Sequence, residues 1–522
     1  MERRIAYITS DLLAGSLPIR LKQEGNSVVV FEKANMKTLQ GLVDKKPFSE
    51  LKSYIEKLDK EKDLIVFEDC DNGDRPLELR KLGYNVVGGT SQTDKMEKNR
   101  ILGGKVAEMA GIKVPKMHKI ESLKEGIQFV KNNPGRYCLK QQGEIDSIKF
   151  LNYIAKLDDG KDLIDQMEWL DKRWVSGLKK DFILQEFVSG AEVAMGGYWN
   201  SKSFMKDKDG DEICELNFEN KNLVAGNKGA TTGELFTLIQ FQKAKNCKLF
   251  QETLEKLKPI LLKLNYVGCI DINSIVDLKT GEVNFLEFTN RFGSPATSGH
   301  LPLMKGKWGD FLYAMARGED IGFEIEPDWL IVSMFVTSPF PYGNDDNIRD
   351  LIENKYKKTP PKNEEERKEL LEVRLVDSDD LIVQFKEQPT KQEQKMINLD
   401  YVYKDGDIKV SNSAGYVLTV NGIGKTPKEA GENVEKLLNK FVLPKSFWRS
   451  DWTGTYDKVK KDLIKWGYLQ DESTIEEQLA EKAKQEEKDK QTKEITEKIQ
   501  GDYDKKLSDI KGAVKGIIYG NK

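Results

Sequence analysis

Histidine is nearly missing from this chain of 522 residues: there are two, His118 and His300. A serine–histidine–aspartate nucleophile or a histidine-bound metal therefore has little to be built from. Cysteine is sparse and scattered as well. Cys70, Cys138, Cys214, Cys247 and Cys269 form no C-x-x-C pair and have no histidine at metal-ligand spacing. They read as reduced, mostly buried thiols of a cytoplasmic protein, not as a disulfide or zinc framework. No run approaches the roughly 18 apolar residues of a membrane span, so no membrane partner is expected. A net charge of -3 supplies no basic field of the kind that displaces counterions from nucleic acid. The opening MERRIAYITSDLLAG has a short apolar run without a small-residue cleavage site and reads as a first strand.

What is present is a large globular composition. Hydrophobic residues make up 38% and charged residues 32%, enough for true cores under a charged surface, and the length suggests about three domains. Residues 4–9 (RIAYIT), 27–31 (SVVVF), 64–67 (LIVF) and 85–87 (NVV) read as short buried strands. Helical stretches through Leu17, Ile19 and Leu21, and around Leu77, Leu79 and Leu82, separate them. This alternation predicts a parallel α/β domain over residues 1–93, ending in the turn-rich GGTSQT. From 94 to 310 the pattern becomes α+β. A helix is expected at 96–110, strands at 136–140, 182–187 and 192–199, a glycine- and asparagine-rich loop at 222–233, and a helix at 240–264. A hairpin with arms 268–276 and 283–291 closes the region. Residues 311–470 hold further short strands such as IVSMFV and YVLTVN, a small β-rich domain. The segment 471–522 is almost wholly charged and reads as a helical tail opened by the capping box Ser473-x-x-Glu476.

The hairpin carries the strongest chemical signal. Strand side chains alternate, so Asp271 and Asn273 share a face, and Glu287, Thr289 and Arg291 share another. Leu286 and Phe288 point the opposite way. Buried carboxylates and an arginine are costly unless paired or bound to something charged. Magnesium bridging phosphate oxygens is one such partner, because it favours one or two carboxylates plus phosphates. A glutamate–arginine pair at a sheet edge is the alternative.

The segment FLEFTNRFGSP at 285–295 resembles the metal-binding strand of ATP-grasp enzymes, and particularly that of the glycinamide ribonucleotide synthetases. Other pieces follow in the family's order. LGYNVVGGTSQTDKMEKNR (82–100) resembles its entry into the ATP-grasp domain, YCLKQQG (137–143) its phosphate-lysine strand, and FILQEFVSGAEV (182–193) its adenine hinge. FENKNLVAGNKGATTGE (218–234) resembles a glycine-rich substrate loop. GYVLTVNGIGKTPKEA (415–430) and FWRSD (447–451) resemble the closing C-terminal domain.

The resemblance implies an α/β and α+β multidomain fold with a central ATP-grasp domain. It also implies a ligase that uses ATP and magnesium (or manganese) to join a small-molecule carboxylate to an amine through an acyl phosphate. In the family the pair is phosphoribosylamine and glycine, in purine biosynthesis. Carried over residue by residue, Lys140 and Arg100 would contact the ATP phosphates. Gln185, Glu186, Phe187 and Val188 would receive adenine, with Glu186 or Glu192 at the ribose. Glu287 would ligate the metal, with Thr289 at the family's asparagine position and Asn273 or Asp271 as substitutes. Arg291 would stabilise the transferring phosphate. Gly226, Asn227, Gly229, Thr232 and Gly233 would form a loop closing over the phosphates.

Departures from the family are concentrated at the substrate ends. The N-terminal loop GNGGREHA is replaced by SDLLAGSLPIR at 10–20, leaving Gly15, Ser16 and Arg20 as phosphate contacts. The flap QQGEIDSIKF keeps a single glycine, and two carboxylates are lost at Ser294 and Ala296. A ligase for another amine and carboxylate, or a silent nucleotide-binding protein of the same fold, are the alternatives. A biotin-dependent carboxylase subunit fits the C-terminal match poorly. Trp169, Trp174, Trp199, Trp448 and Trp452 read as core or interface residues and His118 as structural. His300 is either structural or a wall of the substrate pocket.

Overall fold

A computed structural model of the chain describes residues 2–12, 14–34, 36–141, 152–173, 182–341, 378–412 and 414–470, with five isolated positions outside these runs. Most of the flap expected after the lysine strand, Trp174, and the charged tail with its capping box lie outside the described residues. The chain divides into two compact units, Met1–Leu463 and Ile464–Lys522. Among the described residues every sheet belongs to the first.

The N-terminal apolar runs form a parallel sheet. Its strands are β1 (Arg4–Thr9), β2 (Ser27–Glu32), β3 (Asp44–Pro47), β4 (Leu64–Phe67) and β5 (Val86–Val87), in the order β3-β2-β1-β4-β5. Residues in β1, β2 and β4 are buried on both faces, as expected for strands covered by helices on each side. The helices are α1 (Ser16–Gln23), α2 (Leu51–Ile55) and α3 (Arg75–Lys81). Strand β3, with sequence DKKP, has no apolar signal and departs from the expected strand set.

The helix expected at 96–110 is two helices, α4 (Ser91–Lys98) and α5 (Arg100–Met109). Asn99 breaks it with extended φ/ψ of -113° and 95° and caps the second helix by accepting from the Leu102 amide. That cap places Arg100 at the first residue of a new helix, facing the sheet. A second, four-stranded sheet follows in the order β6-β9-β7-β8: β6 (Met117–Ile120), β7 (Tyr137–Gln141), β8 (Tyr153–Ile154) and β9 (Phe182–Glu186). Helices α6 (Leu123–Asn132) and α7 (Lys161–Arg173) cover it, around Ile120, Leu139, Leu163, Met167 and Leu184.

The third sheet is antiparallel and has eight strands. It begins with β14 (Val283–Thr289), β13 (Gly268–Asp277), β10 (Gly190–Trp199), β11 (Ile213–Val224) and β12 (Lys228–Lys243). It continues with Trp329–Val336, Tyr416–Gly424 and Ile397–Asn398, so it takes strands from both sides of residue 310. The expected hairpin is present. The expected loop at 222–233 is instead the end of β11 and the start of β12, reversing through Ala225, Gly226 and Asn227, with Gly226 and Asn227 at φ of 75° and 58°. The expected helix at 240–264 begins only at α8 (Lys248–Glu252) and α9 (Leu254–Lys263), because β12 runs on to Lys243. Period-two alternation marks the strand in the sequence: Cys214, Leu216 and Phe218 against Glu215, Asn217 and Glu219. The glycines and asparagines that follow mask it.

Helices α10 (Ala296–Leu303) and α11 (Trp308–Arg317) join the parallel sheet to the large one. Tyr7, Leu64, Ile239, Leu301, Trp308, Phe311 and Leu330 share one buried core. Among the described residues no helix is long and apolar enough to cross a membrane.

Candidate active site

The polar face of the large sheet follows from register. Glu287 pairs with Asn273 and Thr289 with Asp271. Asn273 and Asp271 pair with Ala194 and Gly196 of β10, which pair with Asn217 and Glu215 of β11. One face therefore carries Glu287, Thr289, Asp271, Asn273, Glu215, Asn217 and Glu219 side by side. Gly196 is required between the two acids. A Cβ there would lie 2.7 Å from Glu215 Oε2 and 3.2 Å from Asp271 Oδ2.

Bringing so many acids together raises their affinity for protons. Burial, then Glu219 and Glu215, pushes the Asp271 carboxyl well up, and burial also raises Glu219 and Glu234. Asn217 relieves part of the repulsion by donating to both Asp271 and Glu215 at 3.1 Å. His300 closes this buried end, with Nε2 2.7 Å from Glu215 and Nδ1 2.6 Å from the Tyr198 hydroxyl. It is 2% exposed, a core residue and not a pocket wall.

Three cations meet the acids. Lys221 lies 2.6 Å from Glu219, 2.9 Å from Glu192 and 3.7 Å from Glu287. Burial works against its charge, but the three carboxylates outweigh it and hold its pKa well above the usual lysine range. Arg100 hydrogen-bonds the other oxygen of Glu287, while its Nε is buried without a partner. Burial, then repulsion from Arg100, lowers the pKa of Lys140 on β7. Arg100, Lys140 and Glu287, distant in sequence, are thus brought into one charged cluster.

Other expected residues stand apart from this cluster. Arg291 pairs with Glu97 of α4 at 2.9 Å. Asn290 turns to the opposite side, donating to the Thr93 carbonyl at 2.8 Å. On β9, Gln185 is 2% exposed with an unpartnered amide nitrogen. Phe187 stacks under Arg136, whose guanidinium carbon lies 3.6 Å from the ring centre. Gly226 and Asn227 sit at the tip of the β11–β12 hairpin, whereas Gly229, Thr232 and Gly233 lie within β12.

That tip is held by a residue outside the set expected from sequence. Arg449 donates to the Asn222 carbonyl at 3.0 Å, to Asn227 Oδ1 at 2.8 Å and to both oxygens of Asp451 at 2.5 and 2.8 Å. Asp451 in turn accepts from the Gly226 amide at 2.8 Å. Lys221 and Glu219 are also outside that set. Their signal is the alternation of charge in FENKN, legible only once 218–222 is a strand.

The oxygen set fits a hard divalent cation. Glu287, Glu219 and Asn273 offer only oxygen to such an ion, and Asn273 Oδ1 is buried without a hydrogen-bond partner. The Lys221 ammonium already stands as a positive charge among these carboxylates. Magnesium favours this donor class together with phosphate oxygens.

The architecture, with this face on the large sheet and the lysine strand opposite it, is the ATP-grasp fold. In sequence the chain is similar to phosphoribosylamine–glycine ligases at low identity. The Helicobacter pylori ligase is 23% identical over 252 residues, 46% of this chain and 54% of that protein. The Fusobacterium nucleatum ligase is 22% identical over 249 residues, 47% and 55%. The chain spans about half the length of the curated relatives it matches. Among solved structures, the Thermotoga maritima phosphoribosylamine–glycine ligase superposes with a TM-score of 0.58 at 16% identity, over 86% of this chain and 99% of that one. The biotin carboxylase of Campylobacter jejuni, solved as a β-γ-ATP complex, gives 0.53 at 11%, over 85% and 92%. These identities speak to fold alone. No family model matches the chain.

Proposed function

We propose that the chain is an ATP-dependent ligase joining a carboxylate to an amine through an acyl phosphate. The observation that carries this is the convergence of Arg100, Lys140 and Lys221 on Glu287, Glu219 and Asn273. It supports a triphosphate end seated between the two sheets, with these cations and oxygen ligands around it. Gln185 to Val188 would receive adenine, and Glu192 the ribose. A magnesium or manganese ion held by Glu287 and Asn273 would draw charge from the phosphate oxygens. Arg100 and Lys140 would neutralise the charge that develops as a carboxylate oxygen bonds to the γ-phosphorus and ADP leaves. The amine nitrogen then attacks the acyl carbon and phosphate departs, giving an amide. Positioning and charge suffice for both steps, so scarce histidine is no obstacle.

The relatives' substrates make phosphoribosylamine and glycine the first pair to test, in the cytoplasm and in purine biosynthesis. The experiment is phosphate release from ATP and magnesium with both substrates, against each alone. Release that needs both and vanishes in Glu287→Gln supports the reading. A chain that does not bind MgATP overturns it. A second reading, the same ligase chemistry on a different pair, is favoured by the carboxyl edge of the parallel sheet, where the amides of Ser10, Ala14 and Ser16 already donate to Asp69, Glu68 and Asp400.

A further inference from the structure

Helix α1 of the parallel-sheet domain has two working faces. Leu17 and Leu21 turn into the core. Ser16, Ile19, Arg20 and Gln23 recur at helical spacing on another face and form one wall of a cavity of about 370 Å³. Leu301 of α10 adds to it. The opposite wall comes from residues 385–408, among them the strands Gln384–Phe385, Ile397–Asn398 and Asp407–Val410. The volume is that of a small-molecule site. None of the lining residues lies on β9, β11, β13 or β14, so the cavity shares nothing with the acid-rich face.

The lining combines apolar surface with charge of one sign. Ile19, Leu301, Phe385 and Ile408 supply the apolar part. Arg20 and Lys395 are its charged residues, and among the described residues no aspartate or glutamate lines it. Lys395 is exposed and makes no ion pair with a described residue. The acids next to Gln388 and Gln394 are engaged elsewhere, because Glu387 and Glu393 pair with Lys440 at 3.1 and 2.8 Å.

Arg20 is fixed by one edge. Its Nε donates to Glu24 at 2.8 Å, and Glu24 is itself anchored by the amides of Trp308 and Gly309, both at 3.0 Å. The outer end of the guanidinium is left with a long bond to the Gly306 carbonyl, at 3.4 Å. A guanidinium held in this way is preorganised to meet an oxyanion with two parallel hydrogen bonds. Gly15 and Ser16, expected with Arg20 as phosphate contacts, are closed. Ser16 gives its amide to Asp400 at 3.0 Å and bonds Ser298 through its hydroxyl at 2.7 Å. The Cβ position of Gly15 lies 2.6 Å from the Asp400 carbonyl oxygen.

We propose that this cavity is a second ligand site, taking a small organic oxyanion, a carboxylate or a phosphate ester, with its charge at Arg20 and Lys395 and its apolar body against Ile19, Phe385 and Ile408. An inorganic ion would leave the apolar surface uncovered, and a cation would be repelled by both charged side chains. The ligase reading is not needed for this site.

The test is calorimetric titration of the full chain with phenyl phosphate, with phenylacetate and with benzylamine, each with and without MgATP. At least one oxyanion is expected to bind at a single site, unaffected by MgATP, and benzylamine is not. Lys395→Gln changes an exposed side chain, so the fold is kept, and it should weaken that oxyanion about tenfold, as loss of one charged contact implies. Arg20→Gln should weaken it at least as much. Lys391→Gln, on the short helix Lys391–Gln394 but outside the cavity, should leave the affinity within about twofold, because its charge is screened. Silence from both oxyanions overturns the proposal. So does competition with MgATP, full affinity in Lys395→Gln, or equal binding of benzylamine. Failure of MgATP to bind overturns the ligase reading and leaves this site intact.

Discussion

The Lys221 ammonium stands between Glu219, at 2.6 Å, and Glu287, at 3.7 Å, two carboxylates that would otherwise face a metal and each other. Removing one partner of a buried ionic cluster leaves uncompensated charge. Lys221→Met is expected to destabilise the protein by about 2–3 kcal/mol without divalent ions. Millimolar magnesium should restore part of that loss, because the vacated carboxylates gain a cation. Thermal unfolding with and without magnesium reads this directly, and a variant indifferent to magnesium would remove these residues from the metal site.

Arg100 begins a helix, where the dipole disfavours a cation, and is held there by Glu287. On the proposed ligase reading, it serves phosphate binding and not stability. Arg100→Gln is expected to weaken MgATP binding by about tenfold or more, the value of one charged contact. The unfolding temperature without nucleotide should change little. Equal loss of fold and of binding would make the arginine structural.

Arg449 and Asp451, joined by two hydrogen bonds to each other, clamp the hairpin tip through three more, to the Asn222 carbonyl, Asn227 Oδ1 and the Gly226 amide. Lysine carries the charge but lacks the planar fork. Arg449→Lys should cost about 2 kcal/mol, the range for buried hydrogen bonds to charge. Limited proteolysis should then cut near residues 225–228, where the wild type is expected to resist. Unchanged resistance would show that the β11–β12 pairing alone holds the tip.

Burial, then the neighbouring Asp69, pushes the Glu68 carboxyl up to about 8. Its ordinary value is 4.5, so between these values the folded state holds the extra proton. Stability from this group is complete below its unfolded pKa and falls as pH rises through the window, with a slope of up to about 1.4 kcal/mol per pH unit. Glu68→Gln cannot ionise and should flatten the slope relative to wild type. Urea unfolding across that range measures it, and parallel slopes would place the ionisation elsewhere.

Much of the fold is legible because its signals are local. RIAYIT, SVVVF and LIVF are short β-branched runs with helical spacing between them, and they form the parallel sheet. The arms of the hairpin lie within a few residues of each other, so turn and alternation locate them. The stretch 213–243 misleads because glycine and asparagine in NLVAGNKG suggest an open loop. Whether such residues make a loop or a tight reversal between long strands depends on what pairs beside them, and β10 and Trp329–Val336 supply that pairing.

The sequence by itself determined which residue types could do chemistry here: lysine, arginine, glutamate and asparagine, with almost no histidine. It also set their order along the chain, which carries the likeness to ATP-grasp enzymes. Only the tertiary structure decided which of them meet. Lys221 reaches Glu287 across 66 positions, Arg291 turns to Glu97, and Asp400 reaches the amide of Ser16 across 384. Charge acts through space over a few ångströms. An amide that holds a substrate phosphate in one protein is filled, in this one, by a carboxylate that only folding brings to it.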